Sequence, residues 1–475
     1  MIGPVSHAGD QDPQVRTDPQ GDRLVTSAPV PDRPEPAPQP GHAPADVGRD
    51  SVALYVAMAG IALMGFNRTR LADMPVSDLV FMVAAVAIAM GLLAGRTSRL
   101  ATPRARRSSP PVLIGTILFL TAGTVSAFQS WDSGRSVTVM LRFAWVTLGW
   151  FWVLRSVVVD RAALAKLLGA WRVMVLFNSA VVVLGNLHIL QWGGLHGSGN
   201  RQVGFFDEPN DLAGLLVVGL PLILLGVPRP PESGPLRGRD LLVRGIPSVL
   251  VIYGVATTGS MSAFLAAVVG GVTMIAAVVV ARPPRTRRPR SPLLPMVVVA
   301  GAVAGVALLA ASDVPVVERF TEFNSGDQAT VASVASRGER NDIIIERFDS
   351  LLVVGEGFGG FDPTDQREVL AGGAHNMIML TVLQAGLPGV VGLLTILFFT
   401  VRNAMRLVVN TRGTDLHPVA VSLLASVVTA TTFAMFQPTL YHRYYWLPIG
   451  LIGALWSLRR QELRDRQPVP AETVA

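Results

Sequence analysis

The sequence predicts an all-α polytopic membrane protein. Three observations carry that expectation. Half of its 475 residues are hydrophobic. Apolar runs long enough to cross a bilayer recur along the chain. The arginines gather in short loops between those runs, where membrane topology needs them. For a chain of this length, that combination points to a polytopic membrane protein rather than two or three soluble domains. With no cysteine, disulfides, thiolate nucleophiles and cysteine-bound zinc are excluded. The net charge of +7 is accounted for by the loop arginines. Membrane lipid is therefore an expected partner and nucleic acid is not.

Taken in order, residues 1–50 are polar and rich in Pro, Asp and Gly. They cannot bury enough apolar surface to offset their ordering entropy, so a disordered cytoplasmic tail is expected. Nine candidate spans follow within 51–311, near 52–66, 77–94, 112–128, 137–154, 171–190, 212–227, 242–257, 262–281 and 293–311. Three more lie within 376–458, near 376–401, 418–436 and 444–458, and a short tail, 459–475, closes the chain. That makes about twelve transmembrane helices. The seventh contains Pro247 and Gly254, which a membrane helix tolerates only where neighbours or water satisfy the freed carbonyls.

The loops set the orientation. Basic segments around Arg96–Arg107, Arg229–Arg244, Arg282–Arg290, Arg402–Arg412 and Arg459–Arg464 fall on one side of twelve spans. The positive-inside rule makes that side the cytoplasm, with both termini inside a cell (plasma) membrane. The outer face then receives Gln191–Asp211, a long loop over 312–375 and the turn Gln437–Arg443.

Those three outer segments hold the candidate site. "RQVGFFDEPNDLAG" carries Arg201, an arginine on the face where the positive-inside bias disfavours one, so an anionic partner is expected. Around it, Asn210 reads as a helix cap. Asp207 and Glu208 read as acids at the positive end of the helix dipole. Phe205 and Phe206 read as an interfacial aromatic belt. "SRGERNDIIIERFDSLL" places Ile344, Phe348, Leu351 and Leu352 at helical spacing, interleaved with Arg337, Arg340, Asn341 and Arg347. This is an amphipathic interfacial helix. The following Gly355, Gly357, Gly359 and Gly360 form a loop that either cradles phosphate on backbone N–H groups or simply turns back into the membrane. His375 and Asn376 stand at the mouth of the tenth span, and "YHRYY" adds His442 in the last outer turn. A neutral imidazole can take a proton from an attacking hydroxyl near pH 7. Arginines can grip a diphosphate through paired N–H donors.

His-Asn, nine residues, then Gly-x-x-Gly (His375 to Gly389) resembles the signature of the O-antigen ligase and O-antigen polymerase superfamily. "RQVGFFDEPN" is similar to that family's Arg-x-x-Gly-x-Phe-x-x-Pro-Asn segment. "SR…GEGFGGF" looks like its arginine-bearing periplasmic helix followed by Gly-x-Gly, with Arg337 in the arginine position and Arg340 as the fallback. The resemblance covers about Arg201 to Leu394. One position departs: "TTGSMSAF" has Met261 where the family has an arginine, expected near the other end of its span or in a kink. The resemblance implies a GT-C-like membrane glycosyltransferase that needs no metal or other cofactor. Its donor would be a polyprenyl-diphosphate-linked glycan, and its acceptor a hydroxyl on a glycan, lipid or protein. His375 would be the general base, with Arg201, Arg337, Arg340, Asn376 and His442 as substrate-binding residues. A transporter or flippase of a lipid-linked glycan is the competing expectation, with Arg142 and Arg172 inside or beside spans.

Overall fold

Apolar segments of bilayer length satisfy every backbone polar group internally only as helices, and helices dominate the computed structural model. It describes residues 47–71, 74–94, 110–190, 201–225, 238–280, 315–325, 338–339, 342–359 and 374–465. The chain divides after Asp46, and the described residues belong to the second unit. The helices are α1 (Val47–Leu63), α2 (Val76–Leu93), α3 (Pro110–Gln129), α4 (Ser133–Ala144), α5 (Trp150–Val157), α6 (Arg161–Asn186) and α7 (Pro209–Leu225). They continue with α8 (Gly238–Thr257), α9 (Met261–Val280), α10 (Pro315–Ser325), α11 (Phe348–Leu351), α12 (Met377–Asn410), α13 (His417–Ala434) and α14 (Arg443–Asp465). Every predicted span except the ninth, 293–311, coincides with a helix; the ninth lies outside the described residues, as do residues 1–46 of the predicted tail 1–50, whose last four residues begin α1.

Among the described residues, seven stretches are long and apolar enough to cross a membrane: α2, α3, α4 through α5, α6, α9, α12 and α13. The apolar parts of α1, α7 and α8 are shorter. The described residues are thus those of an all-α membrane protein, with one departure among them. A hairpin, β1 (Arg70–Leu71) against β2 (Met74–Pro75), pairs Arg70 with Pro75 and Leu71 with Met74 between α1 and α2. A π turn over Trp145–Gly149 joins α4 to α5 without breaking the column.

Local chemistry sets the helix starts. Asp160 accepts from Ala163 N at 2.7 Å before α6, and Asp132 accepts from Arg135 N at 2.9 Å before α4. Both satisfy otherwise orphaned N–H groups. Pro247 is accommodated inside α8, and Gly254 lies against Ser179 and Leu216.

Packing relies on small residues, because lipid supplies no hydrophobic drive between helices. α12 runs along α3, and a Cβ on Gly392 would lie 2.6 Å from Phe119 N. α9 meets α13 where a Cβ on Gly270 would lie 2.0 Å from Thr429 Oγ1. α13 is central, in contact with α7, α9, α12 and α14. Phe81 of α2 stacks on Trp150 of α5, centroids 3.7 Å apart.

The two ends of this bundle differ. At one, Arg161 pairs with Asp415 and Glu462, Arg459 pairs with Glu462 at 3.0 Å, and Arg412 donates to Val280 O at 2.9 Å. This is the arginine-rich end. The other end gathers the starts of α7, α9, α12 and α14 and the close of α8.

The amphipathic helix expected over the second outer segment is broken. Residues 342–346 are helical, Arg347 forms a turn, and α11 follows. Ile344 and Leu351, seven residues apart, are buried, while Phe348 between them is exposed.

Candidate functional site

Arg201 is held at the mouth of α7. Its Nε donates to Thr258 O at 2.6 Å, and its Nη2 donates to Asn210 Oδ1 at 3.0 Å. The neighbouring Gln202 N donates to Thr257 O at 3.0 Å. The turn that receives Arg201 therefore closes α8 and opens α9. That turn needs Gly259: its φ is +64°, and a Cβ there would lie 3.2 Å from Arg201 Nε. Met261 is the first residue of α9, directly after this turn. It stands at the same end as Arg201, which corrects the expectation that it lies near the other end of its span.

Asn210 is buried in the first turn of α7 and accepts from Arg201, so it holds the arginine rather than standing before the helix as its cap. Asp207 is exposed and pairs with Arg70 at 2.9 Å and Arg68 at 3.7 Å. Phe206 is buried, so it belongs to the core and not to an aromatic belt; Phe205 packs on Phe66 with centroids 4.7 Å apart.

His442 follows a short 3-10 turn, Thr439–Tyr441, and its Nε2 lies 3.2 Å from Asp211 Oδ1. Its ring stacks on Tyr444 with centroids 5.1 Å apart. The next residue, Arg443, makes a two-oxygen contact with the buried Asp78, at 3.2 Å from Nε and 2.5 Å from Nη2, which ties the start of α14 to α2. Glu208 sits between the arginine and the histidine. It is exposed as a residue, yet neighbours crowd its carboxyl. Loss of hydration, then the Asp211 charge, raise its pKa; His442 and Arg201 oppose that shift. Residues 201, 208, 210, 211, 258 and 442 thus form one polar cluster in which an imidazole with a carboxylate partner stands close to a guanidinium.

The described part of the glycine loop spends its N–H groups on the protein itself. Gly355 N donates to Ser126 Oγ at 3.0 Å and Phe358 N to Ser136 Oγ at 2.6 Å. Glu356 N donates to Leu383 O at 2.7 Å and Gly357 N to Gln384 O at 3.2 Å. Four successive N–H groups are committed to protein acceptors and cannot also cradle a phosphate. Two of them, Glu356 N and Gly357 N, satisfy carbonyls released where α12 breaks at Gly386 (φ 65°, ψ −172°). Phe358 then packs on Tyr441, centroids 6.3 Å apart, which joins this loop to the turn carrying His442.

Asn376 is the N-cap of α12: its Oδ1 accepts from Ile378 N at 2.8 Å and Met379 N at 3.3 Å. His375 is half-buried immediately before it. α12 ends beside α13 at the arginine-rich end, where His417 Nδ1 lies 3.1 Å from Val408 O. His375 therefore starts α12 at the same end as Arg201 and His442. Arg337, Arg340 and Asn341 lie outside the described residues. Asp211 and Thr258 were not singled out from the sequence. Asp211 reads there as one more acid at a helix start, and a backbone carbonyl carries no sequence signal.

Among the described residues, no group of three or more His, Asp or Glu side chains is placed to hold a metal ion. Fold and site together define a helical membrane protein with a polar cluster built from distant segments at one end of the bundle. Comparison with protein-family models gives no match, and comparison with curated proteins gives none either.

Proposed function

We propose that this chain is a membrane glycosyltransferase of the O-antigen ligase/polymerase type. It transfers a glycan from a polyprenyl-diphosphate carrier to an acceptor hydroxyl at the outer face of the membrane. The observation that carries the reading is the convergence of Arg201, Glu208, Asp211 and His442 at the end of the bundle where α12 also starts. A lipid-linked donor keeps its tail in the bilayer while its diphosphate and sugar lie at the interface, so a site at helix mouths meets both needs. In this reading Arg201, with Arg337 or Arg340, grips the diphosphate, and His375 takes the proton from the acceptor hydroxyl. The oxygen attacks the anomeric carbon, the diphosphate leaves from the opposite face, and the carbon is inverted.

A second assignment of the base has its own support. His442 already has a carboxylate 3.2 Å from Nε2. Such a partner orients the imidazole and stabilises the charge it gains on protonation. Transfer by purified protein, with donor binding measured in parallel, separates the two. Loss of a general base costs on the order of 10²–10⁴-fold in rate. His375→Gln should bind donor and lose transfer on that scale. If His375→Gln turns over normally while a folded His442→Ala does not, the base is His442. Arg201→Lys keeps the charge but not the planar fork, and should stay strongly impaired in donor binding. Full activity in Arg201→Ala and in both histidine variants would refute the glycosyltransferase reading.

A further inference from the structure

Arg142 has no part in the proposed transfer, and its surroundings set it apart. α4 buries the row Ser136, Met140 and Phe143. The neighbouring row is Arg135, Val139 and Arg142, so the two arginines stand on one flank of the helix, about 10 Å apart along its axis. Arg135 is exposed and Arg142 half-buried. Contacts fix the level of this flank. Phe143, next to Arg142, packs on Tyr441 and Trp446 with centroids 6.2 and 5.5 Å apart, and Ser136 Oγ accepts from Phe358 N at 2.6 Å. Val139 Cγ2 lies 3.9 Å from where a Cβ on Gly359 would stand. The flank therefore belongs to the end of the bundle that carries His442, away from the arginine-rich end.

Among the described residues, no hydrogen-bond acceptor or ion-pair partner meets either guanidinium. α3, α4, the π turn and α5 contain no Asp or Glu. Asp132, the cap of α4, accepts from the backbone N of Arg135 and forms no ion pair with its side chain. Glu356, the acid of the neighbouring loop, pairs with Arg347 at 3.4 Å. An ionised arginine inside or beside a membrane span is costly and pairs with an anion. Phosphate oxygens at headgroup level match the guanidinium fork. On the side turned to lipid, Leu141 and Leu148 are exposed, which leaves apolar surface for a hydrocarbon chain below such a phosphate.

We infer that the Arg135–Arg142 flank of α4 binds the phosphate of an anionic membrane lipid, whose hydrocarbon lies along Leu141 and Leu148. Binding is read without turnover, so failure of this inference leaves the transferase reading standing, and a chain without transfer activity leaves the inference standing. Native mass spectrometry of the purified full chain tests it, with phosphatidylglycerol, a polyprenyl phosphate and zwitterionic phosphatidylcholine titrated separately. At least one of the two anionic lipids should bind more tightly than phosphatidylcholine, by roughly fivefold for each arginine. The tighter of the two is the occupant, and either preference upholds the inference. Arg142→Gln and Arg135→Gln should each lose about fivefold of that preference, and the double variant nearly all of it, with the unfolding temperature unchanged. Equal binding of all three lipids, or a preference that survives in the folded double variant, overturns the inference. A second measurement leaves both arginines in place. Trp145 follows Arg142 by one helical turn. The preferred anionic lipid with brominated chains should quench a component of the indole fluorescence that is missing in Trp145→Phe. Equal quenching of that component by brominated phosphatidylcholine at the same concentration overturns the inference.

Discussion

Glu208 is the residue whose surroundings have a direct consequence for pH. Its carboxyl is crowded at the mouth of α7 and titrates above the ordinary value of 4.5, through lost hydration first and the Asp211 charge second. The folded protein therefore keeps this proton to a higher pH than the unfolded chain. Between the two values the folded state binds more protons, so stability falls as pH rises through a window that opens at about 4.5. Glu208→Gln keeps the shape and removes the titration. Its unfolding temperature in detergent should fall less steeply than that of the parent chain from about pH 4 to about pH 8. Two curves of the same slope would mean that the carboxyl is not perturbed. Arg201 donates to a backbone carbonyl and a carboxamide, neither of which titrates, and its charge opposes the Glu208 shift.

α12 is the element whose irregularity matters most. Its sequence contains Gly386 and Pro388, and a proline removes a ladder donor and clashes with the preceding turn. The break is nevertheless not loose. The carbonyls of Leu383 and Gln384 accept from Glu356 N and Gly357 N, and Leu387 N donates to Leu352 O at 3.2 Å. A glycine-rich loop and a broken helix complete each other's hydrogen bonds, as burial in a membrane protein demands. Gly386 alone can take its backbone angles, a region essentially closed to other residues. Its Cβ would also lie 2.9 Å from Leu351 O. Gly386→Ala should therefore destabilise the protein by about 1–3 kcal/mol or more. Gly169→Ala in α6, where a Cβ meets nothing within 4 Å, should be neutral or slightly stabilising. Thermal unfolding of the two variants side by side checks this; equal behaviour would remove the role assigned to the break.

For the molecule as a whole, the proposed topology puts the arginine-rich end in the cytoplasm and α10 outside. The chain has no cysteine of its own, so a single one can be introduced without background. A cysteine at Ser325, which closes α10, should react with a membrane-impermeant maleimide in intact cells. Labelling only after lysis would reverse the orientation and move the Arg201 cluster to the cytoplasmic face. The ion pairs among Arg161, Asp415, Arg459 and Glu462 agree with the grouping of basic loops at one end. Which face of the membrane that end meets rests on the positive-inside rule.

The sequence alone pointed to an all-α membrane protein and to most of its described helices. These follow from local quantities: run length, hydropathy and the position of arginines between runs. It also singled out Arg201 and His442, because a charge and an imidazole next to apolar spans are conspicuous without any partner. Tertiary structure alone decided what those residues do to each other. Arg201 meets Thr258 and Asn210, and His442 meets Asp211, across separations that no periodicity encodes. The same holds for the glycine loop. Its composition suits a phosphate cradle and a turn equally well, and only the positions of Ser126, Ser136 and the broken α12 show where its N–H groups are directed. A donor's direction is a property of the folded backbone and of what packs against it, and residue identity leaves it open.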